Sequence, residues 1–434
     1  MDIVNIEARM LKGRVTAPPS KSVAHRAIIA AALSGEKCTV SNLSFSEDIK
    51  ATLGCMRKLG ANFEINEKKN KVVFKKSKNI ETDDVHILDC GESGSTLRFL
   101  IPVALLKNSS VKLKGRGRLM QRPQKPYTDL FSKKGIKCRK NRGTMSFTGR
   151  LTPGVFKLPG NVSSQFITGL LFALPLLDDD SEIIVTTETE SKGYIDITLS
   201  VLKDFGIEII NKDYKKFIVP GNQKYKAVDY EVEGDYSQAA FFLTAGALGC
   251  DIECAGLRKD SLQGDKKILE ILKEAGATVT ELDDGAIRVK RNDGMYGITV
   301  DASEIPDLVP IIAVLCAFLK GESRIINAGR LRMKESDRLA AISSELRHLG
   351  LDITEGTDYL IIKGTHVLCG TTVSSWNDHR IAMALSIAAC RCEGELSIMG
   401  AQTAVLKSYP DFFEVYNSVY KGPEALMKLG EKMK

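Results

Sequence analysis

A repeated pattern of turn and helix constrains the fold of this chain more than any other feature of its sequence. A turn marked by Gly, Ser or Asp precedes a helix rich in Ala, Leu and Ile, and this pattern recurs at intervals of 70 to 74 residues. The helix starts lie near Ser20, Ser93, Ser163, Ser237, Asp307 and Asp378. Because self-similarity at a fixed period indicates repeated supersecondary elements, the sequence predicts six similar repeats.

A second helix in each of the first five repeats is expected to end at a glycine. These glycines are Gly60, Gly135, Gly206, Gly276 and Gly350. A glycine just past a helix end adopts the left-handed conformation that stops the helix, and short β-branched runs such as 72–74 then indicate strands. Each repeat is predicted as strand, helix, strand, helix and two strands, so the fold class is α/β. The sixth repeat lacks the glycine stop.

The length of 434 residues exceeds what one hydrophobic core ordinarily supports. A polar, turn-rich connector at 220–226 separates the third repeat from the fourth and predicts two domains of three repeats each. A single solenoid of six repeats is the alternative architecture. Irregular insertions and the single connector favour two domains over the solenoid.

Composition and cysteine usage indicate a soluble protein without a metal site. Hydrophobic residues make up 43% of the chain and charged residues 26%, and no apolar run approaches the roughly 20 residues of a membrane span. The first residues lack the basic and apolar regions of a signal peptide, so we expect a cytoplasmic location and no membrane partner. None of the ten cysteines forms a C-x-x-C pair, which favours reduced thiols and no metal.

The formal net charge of +7 is compatible with two kinds of partner. Lys and Arg are spread over the whole length with few aromatic residues between them, whereas a nucleic-acid-binding protein is expected to show base-stacking aromatics or a recognisable binding module. Local basic clusters suit a small polyanionic ligand equally well. A non-catalytic nucleic-acid-binding protein therefore stays open as an alternative to an enzyme.

The helix starts of the first three repeats collect groups that bind anions. Lys21, Ser22, His25 and Arg26 lie at the first start, where free backbone N–H groups and the helix dipole favour negative charge. The Gly/Ser loop 91–98 opens the second helix, and 163–165 places three hydrogen-bonding side chains at the third. Such residues often only cap a helix, but three in a row exceed what capping needs.

The second half carries a dense charged run at 330–338, at the entry to an amphipathic helix. A charge run is usually a solvated helix face, and an Asp at a helix start is usually a cap. Asp307 and Asp378 also precede apolar helices, however, and Lys407 follows later in the chain. Two acids and several cations that converge from different repeats would form a general acid/base set inside a site for a polyanion.

Together, these motifs resemble the 5-enolpyruvylshikimate-3-phosphate synthase family of enolpyruvyl transferases over essentially the full length. The motifs are, in chain order, PPSKS (18–22) with Arg26, GESGSTLR (91–98), QRP (121–123), SSQ (163–165), SKGYID (191–196), IPD (305–307), KESDR (334–338) and NDHR (377–380). The resemblance implies two similar domains, each of three βαβαββ repeats with pseudo-three-fold symmetry (an inside-out α/β barrel), with the active site in the interdomain cleft. It places residues 15–227 in the first domain, on the shikimate 3-phosphate side. Residues 1–14 and 228–434 form the second, which carries phosphoenolpyruvate-binding and catalytic residues.

The implied activity is transfer of the enolpyruvyl group of phosphoenolpyruvate to the 5-hydroxyl of shikimate 3-phosphate, in the shikimate pathway to aromatic amino acids. No cofactor, metal or nucleic acid is expected, and the family resemblance implies a monomer. The resemblance places shikimate 3-phosphate near Lys21, Ser22, Arg26, Ser163, Ser164, Gln165, Ser191, Tyr194, Asp307 and Lys334. It places phosphoenolpyruvate near Lys21, Gly94, Arg122, Gln165, Glu335, Arg338, Arg380 and Lys407.

The resemblance also implies catalytic roles for Asp307, Glu335 and Lys21. Asp307 is the candidate base at the hydroxyl, and Lys21 and Glu335 are expected to move protons at the hydroxyl and at C3 of phosphoenolpyruvate. The related UDP-N-acetylglucosamine enolpyruvyl transferases are the closest alternative. They are expected to carry a reactive Cys in the loop matched here by 115–122, and this loop has none.

Overall fold

The computed structural model describes residues 2–77, 86–106 and 110–420, and these residues fall into two compact units. Unit A is Pro19–Val232, and unit B combines Met1–Pro18 with Glu233–Lys434. The last part of the predicted second domain, 421–434, lies outside the described residues. The predicted divisions after residues 14 and 227 lie a few residues before those of the structure. The first strands belong with the C-terminal half of the chain, so the chain passes between the units twice.

The strands are short, and each spans two to five described residues. In chain order they are β1 (Ile3–Glu7), β2 (Lys12–Thr16), β3 (Cys38–Ser41), β4 (Phe63–Asn66), β5 (Lys71–Phe74), β6 (His86–Asp89), β7 (Ser110–Lys114), β8 (Lys137–Asn141), β9 (Thr144–Thr148), β10 (Gly154–Leu158), β11 (Ser181–Val185), β12 (Ile210–Lys212) and β13 (Lys216–Val219). They continue with β14 (Tyr230–Glu231), β15 (Asp251–Ala255), β16 (Thr278–Glu281), β17 (Ile287–Lys290), β18 (Thr299–Asp301), β19 (Glu322–Ile326), β20 (Asp352–Glu355), β21 (Leu360–Lys363), β22 (Leu368–Cys369), β23 (Thr372–Ser374), β24 (Cys392–Glu393) and β25 (Glu395–Met399).

The α-helices alternate with these strands. They are α1 (Lys21–Ser34), α2 (Glu47–Lys58), α3 (Gly94–Ala104), α4 (Lys125–Lys133), α5 (Gln165–Ala173), α6 (Lys192–Asp204), α7 (Tyr236–Ala247), α8 (Ile268–Glu274), α9 (Val309–Cys316), α10 (Arg338–His348), α11 (His379–Ala388), α12 (Ala401–Val405) and α13 (Phe412–Val419). Within the described residues, no helix combines the length and the hydrophobicity that crossing a membrane requires.

Unit A contains three four-stranded sheets with the same topology. Their strand orders are β14-β3-β5-β4, β6-β7-β9-β8 and β10-β11-β13-β12. In each sheet the first pair is parallel and the other two pairs are antiparallel. A helix connects the parallel strands of the last two sheets, whereas in the first sheet β14 arrives from the end of the unit. The predicted βαβαββ repeat is confirmed, and one repeat closes with a distant strand.

Unit B repeats this plan with one incomplete sheet. The orders β16-β17-β15-β2 and β18-β19-β21-β20 match those of unit A, and the third sheet is β1-β25-β23. Strand β1 pairs antiparallel with β25, in the place that a hairpin strand takes in the other repeats. Within the described residues, the sixth repeat has no second helix that leads into a hairpin, which agrees with the absence of the glycine stop from its sequence.

The two helices of a repeat differ in how much of their surface is buried. The first helices (α1, α3, α5, α7, α9 and α11) are buried along most of their length, while second helices such as α2 and α10 bury one face. Each unit has its own hydrophobic core. The five predicted glycine stops all have positive φ, between 76° and 95°, as the left-handed cap requires.

Candidate active site

The start of α1 presents Lys21 beside a carboxylate. Ser20 caps the helix, and its hydroxyl accepts from the backbone N–H of Val23. Lys21 Nζ donates to Asp48 Oδ2 at 2.9 Å, and both side chains are mostly buried. Asp48 follows the cap of α2, where the sequence indicated only an ordinary helix start. The cation at this helix start is therefore paired, and an incoming anion competes with Asp48 for it.

Arg26 lies deeper than a surface anion site requires. Its guanidinium donates to Thr198 Oγ1 at 2.8 Å, to the Ser22 carbonyl at 2.6 Å and to the Tyr194 carbonyl at 2.9 Å. Burial lowers the pKa of Arg26 to about 10, so the group stays charged at neutral pH. Arg26 thus fixes the start of α1 against the start of α6.

His25 is part of the core and not of the helix surface. Its side chain is fully buried, and Nδ1 lies 2.7 Å from Thr52 Oγ1, which lies 2.7 Å from Thr96 Oγ1. Burial, together with the charges of Lys21 and Arg26, lowers its pKa well below the ordinary value. The lowered pKa disfavours the cationic form of the imidazole, so His25 adds no positive charge to this helix start.

Gly94, Arg122 and Gln165 meet where α3 and α5 begin. A Cβ at Gly94 would lie 3.0 Å from Arg122 Nη1 and 3.3 Å from Gln165 Oε1. Arg98, which the sequence did not single out as a site residue, donates from Nη1 to Gln165 Oε1 at 2.8 Å and from Nη2 to the Pro123 carbonyl at 2.9 Å. Arg98 therefore orients Gln165 and fixes the segment that carries Arg122.

The serines of unit A lie at two more helix starts. Ser163 and Ser164 directly precede α5, and Ser163 Oγ accepts from the backbone N–H of Gln165 at 3.3 Å. Ser191 precedes α6 with a left-handed φ of 56°, and Tyr194 lies in the first turn of that helix. The structure thus places all the predicted residues of unit A at the starts of α1, α3, α5 and α6 or in the segment before α4.

In unit B, the Asp307 carboxylate lies among three cations. Asp307 Oδ1 accepts from Lys334 Nζ at 3.1 Å and from Arg338 Nη1 at 2.8 Å. Arg380 approaches Oδ2 to 3.4 Å and donates to the Asp307 carbonyl at 2.9 Å. Burial alone would raise the pKa of Asp307, but Arg380, Lys334 and Arg338 outweigh it and hold the pKa well below the ordinary value. Asp307 is therefore an anion in this cluster.

Arg338 organises three carboxylates. Besides Asp307, its guanidinium donates to Glu335 Oε2 at 2.7 Å and to Asp378 Oδ2 at 2.8 Å, and only 1% of the residue is exposed. Burial opposes the charge, but Asp378, Glu335 and Asp307 raise the pKa of Arg338 above its ordinary value. All three guanidinium nitrogens of Arg338 thus donate to acids of the same unit.

Lys334 is the cation of this cluster with the most exposed side chain, at 29%. Burial lowers its pKa, although the Asp307 carboxylate opposes the shift. A lysine whose charge is partly destabilised loses its proton more readily than a solvated one, and it also gains more from a ligand anion. Lys334 could therefore give up a proton or bind a ligand anion.

Arg380 connects Asp307 to a second buried acid. Arg380 Nη2 donates to Ser237 Oγ at 2.7 Å, and the Ser237 hydroxyl in turn donates to the Asp265 carboxylate. Burial and the nearby Asp307 carboxylate raise the pKa of Asp265 to about 6, while Arg380 opposes the shift. Sequence reasoning missed Asp265, because it lies between helices with no pattern of its own.

Lys407 is held by the backbone just before α11, in the same repeat. Its Nζ donates to the Asn377 carbonyl at 2.8 Å, and 4% of the residue is exposed. Asp378 caps α11 by accepting from the Arg380 backbone N–H at 2.9 Å. The predicted residues of unit B, namely Asp307, Lys334, Glu335, Arg338, Arg380 and Lys407, therefore form one connected cluster at the starts of α9, α10 and α11 and beside α12.

A metal-binding set is absent from the part of the chain that the structure describes. No group of three or more His, Cys, Asp or Glu side chains there has the spacing of a metal site. Among the candidate residues of each unit, some of the positive charges of Lys and Arg are paired with carboxylate side chains. Backbone N–H groups at helix starts and planar guanidinium groups are the donors that bind phosphates and carboxylates best.

The sequence is similar to a well-populated enzyme family. The profile of the family described as EPSP synthase (3-phosphoshikimate 1-carboxyvinyltransferase) matches residues 6–416. The 3-phosphoshikimate 1-carboxyvinyltransferase of Clostridium novyi (strain NT) is 50% identical over 430 residues, covering 96% of this chain and 98% of that protein. The protein of the same name from Clostridioides difficile (strain 630) is 48% identical, covering 95% and 96% of the two chains.

The fold of this chain is similar to the folds of solved structures. An EPSP synthase from Acinetobacter baumannii superposes with a TM-score of 0.79 at 26% identity, covering 96% of this chain and 98% of that one. The enolpyruvyl transferase NikO from Streptomyces tendae superposes with a TM-score of 0.77 at 18% identity, covering 96% and 97%. This second likeness shows the fold alone.

Proposed function

Since this chain belongs to the EPSP synthase (3-phosphoshikimate 1-carboxyvinyltransferase) family, we propose that it transfers the enolpyruvyl group of phosphoenolpyruvate to the 5-hydroxyl of shikimate 3-phosphate. The products are 5-enolpyruvylshikimate 3-phosphate and phosphate. The two substrates together carry two phosphates and two carboxylates. A protein that binds both substrates needs several cations and helix starts to hold these negative charges. The candidate residues of unit A and of unit B provide both.

The reaction is an addition followed by an elimination. The 5-hydroxyl oxygen forms a bond to C2 of phosphoenolpyruvate and loses its proton, while C3 gains a proton, which gives a tetrahedral intermediate. C3 then loses a proton and the bond from C2 to the phosphate oxygen breaks, so that phosphate leaves and the double bond is restored. Every atom of the substrates is found in the two products, and no electron is exchanged with a cofactor.

The helix starts of unit A carry most of the shikimate 3-phosphate assignment. Serine hydroxyls, the Gln165 amide and the Lys21 ammonium suit a phosphorylated polyol, because they donate to phosphate and pair with hydroxyls. The proposed contacts are Lys21, Ser22, Arg26, Ser163, Ser164, Gln165, Ser191 and Tyr194, with Asp307 and Lys334 from unit B. Arg26 also fixes Ser22 and Tyr194, because its guanidinium donates to their carbonyls and to Thr198.

The phosphoenolpyruvate assignment draws mainly on guanidinium and ammonium groups. The proposed contacts are Lys21, Gly94, Arg122 and Gln165 in unit A and Glu335, Arg338, Arg380 and Lys407 in unit B. Gly94 supports the assignment because any side chain at this position would crowd the Arg122 head group. Arginine suits a ligand with a carboxylate and a phosphate, because its planar fork binds both kinds of group in a bidentate manner.

The observation that carries the proposal is the arrangement of Asp307 among Lys334, Arg338 and Arg380. With its pKa depressed, Asp307 is a weak base as long as no ligand anion binds these cations. Anionic substrates that bind the same cations would reduce their hold on Asp307 and raise its basicity when the hydroxyl proton must be removed. Asp307 is therefore proposed as the base, and Glu335 and Lys21 as the groups that move protons at C3 and at the hydroxyl.

Phosphate release measured in the presence of each substrate alone and of both together tests the proposal. We expect release only when shikimate 3-phosphate and phosphoenolpyruvate are both present. Release from phosphoenolpyruvate alone, or with UDP-N-acetylglucosamine in place of shikimate 3-phosphate, would contradict it. A salt-dependent mobility shift of an oligonucleotide, without phosphate release, would instead favour the nucleic-acid-binding alternative.

The assembly state and the cellular location stay predictions. The family resemblance implies a monomer, and the amino-terminal sequence led us to expect the cytoplasm. A mass measurement of the protein in solution by light scattering checks the first, and fractionation of cells checks the second.

A further inference from the structure

The loop between β23 and α11 holds two consecutive residues in the left-handed conformation. Trp376 and Asn377 both have a φ of 52°. Asn tolerates this conformation because its short polar side chain bonds locally, but a bulky Trp does not. A bulky residue at positive φ persists only where the surrounding structure holds it.

Glu345 provides that hold from the neighbouring helix α10. Its Oε1 accepts from Trp376 Nε1 at 2.6 Å, and its Oε2 accepts from the Ser374 backbone N–H at 3.0 Å. Glu345 is 3% exposed, and His348 Nδ1 lies 3.4 Å from Oε2 on the same helix. Hydrogen bonds to an ionised acceptor in a buried position are about twice as strong as neutral ones. The carboxylate therefore bonds to the loop on both sides of Ser375.

The remaining hydrogen bonds of the loop do not fix the Trp376 side chain. The Ser375 N–H donates to the Met399 carbonyl at 3.0 Å, and the Asp378 N–H donates to the Ser375 carbonyl at 2.9 Å. The Trp376 N–H donates to Ser374 Oγ at 3.1 Å. These bonds place the ends of the loop, while the position of the indole ring depends on Glu345.

The same loop supplies contacts to the cations of the unit B cluster. The Asn377 carbonyl accepts from Lys407 Nζ at 2.8 Å. The next residue, Asp378, accepts from Arg338 Nε at 2.8 Å and from the Arg380 backbone N–H at 2.9 Å. A change of φ at residue 376 would rotate the Asn377 carbonyl and displace Lys407, the cation with the most direct dependence on this loop.

We infer that Glu345 is a positioning residue for the phosphoenolpyruvate subsite: it fixes Trp376 and Asn377 in the left-handed conformation and thereby orients Lys407. The inference rests on the proposed function, in which Lys407 binds phosphoenolpyruvate. Glu345 touches no reacting atom in this account. It acts through the loop, and its effect is expected on phosphoenolpyruvate more than on shikimate 3-phosphate.

A double-mutant cycle between residues 345 and 376 tests the inference. Glu345→Ala is expected to raise KM for phosphoenolpyruvate about tenfold, with KM for shikimate 3-phosphate changed less than about threefold. Glu345→Gln keeps one acceptor oxygen and is expected to be intermediate. In Trp376→Gly the residue adopts positive φ without strain, so adding Glu345→Ala should raise KM for phosphoenolpyruvate by less than about twofold. Equal effects of Glu345→Ala in both backgrounds would overturn the inference.

The indole of Trp376 gives a readout that does not depend on activity. It is the only Trp of the chain, so tryptophan emission reports this loop alone. Glu345→Ala should shift the emission to longer wavelength and lower its anisotropy, because the ring loses its hydrogen bond and becomes mobile. Glu355→Gln is the matched control: Glu355 accepts from Ser343 of the same helix and from Arg332, away from the loop. It should leave the emission and KM for phosphoenolpyruvate unchanged.

The two readouts separate this inference from the proposed function. A wild-type protein that releases no phosphate with both substrates would overturn the function, and the anchoring would then be judged from the emission of Glu345→Ala alone. An unchanged spectrum in that variant would overturn the anchoring. A lower melting temperature with unchanged KM and unchanged emission would show that Glu345 has only a general stabilising role, and would also overturn the inference.

Discussion

Arg338 and Asp307 form an ion pair at 2.8 Å in which the arginine side chain is 2% exposed and the aspartate side chain 17%. The candidate base is therefore also the counter-ion of a buried cation. Removing a charged partner from such a pair leaves the other charge uncompensated, which is costly in a buried position. Substitutions in this cluster should accordingly be judged by turnover and stability together.

Asp307→Asn is expected to lower kcat by about a hundredfold or more, because the amide cannot accept the hydroxyl proton. Steady-state kinetics with both substrates measures the effect. Asp301→Asn serves as the control, since Asp301 is an exposed acid on β18 in the same repeat. A kcat within about threefold of wild type in Asp307→Asn would remove Asp307 from the role of base.

Glu335→Gln is expected to lower turnover by at least about tenfold while leaving substrate binding largely intact. The carboxylate lies 2.7 Å from Arg338, and the amide oxygen keeps an acceptor for that guanidinium but cannot transfer a proton. Glu322→Gln, at an exposed position of β19, controls for the loss of one negative charge. Wild-type turnover in Glu335→Gln would exclude Glu335 from proton transfer.

Gly94→Ala is expected to raise KM for phosphoenolpyruvate about tenfold with a smaller change in kcat, because the added Cβ lies 3.0 Å from Arg122 Nη1 and displaces that head group. Gly54→Ala is a matched control in α2, where a Cβ meets nothing within 4 Å and Ala stabilises the helix by up to about 1 kcal/mol. If both alanine variants bound phosphoenolpyruvate like wild type, Gly94 would have no part in the subsite.

Asp265→Asn is expected to stabilise the protein at high pH and to weaken its function. With a folded pKa of about 6 against an ordinary value near 4, the native state binds the extra proton between these values. The stability that neutral Asp265 contributes is therefore fully present below about pH 4 and is lost as the pH rises through about 6. At pH 8 the cost of ionising Asp265 is on the order of 2–3 kcal/mol, which the Asn variant avoids.

Chemical unfolding of wild type and Asp265→Asn at pH 4.5 and pH 8 measures this difference. The variant should gain stability at pH 8 and little at pH 4.5, while its KM for phosphoenolpyruvate rises because Arg380 loses part of its support through Ser237. A stability difference that is the same at both pH values would show that Asp265 does not titrate in this range.

Local sequence signals were sufficient for the repeated fold. Each glycine stop acts through its own positive φ, and several buried helices begin after a cap such as Ser20, Ser93 or Asp378, so neither signal depends on distant contacts. The place of β14 beside β3 and of β1 beside β25 depends on long-range pairing. The resemblance to a known family indicated that residues 1–14 belong to the second domain, but neither the resemblance nor the periodicity indicated these two pairings.

The candidate site was less accessible to sequence reasoning. Charged motifs at helix starts indicated Lys21, Asp307 and Arg380, but the acids and cations that hold them come from segments with ordinary patterns. Asp48 has the sequence of a capped helix start, and Asp265 follows a turn. Arg98 lies in an apolar helix whose start drew attention only as a loop. Their roles arise from packing between repeats, which no local signal reports.

The fate of the oxygen atom that joins phosphorus to C2 of phosphoenolpyruvate tests the central claim most directly. Addition and elimination break the bond between C2 and this oxygen, so phosphoenolpyruvate labelled there with a heavy oxygen isotope should yield labelled inorganic phosphate, detected by mass spectrometry, when shikimate 3-phosphate is present. Unlabelled phosphate together with labelled pyruvate would show cleavage at phosphorus. That result would contradict carboxyvinyl transfer by this protein.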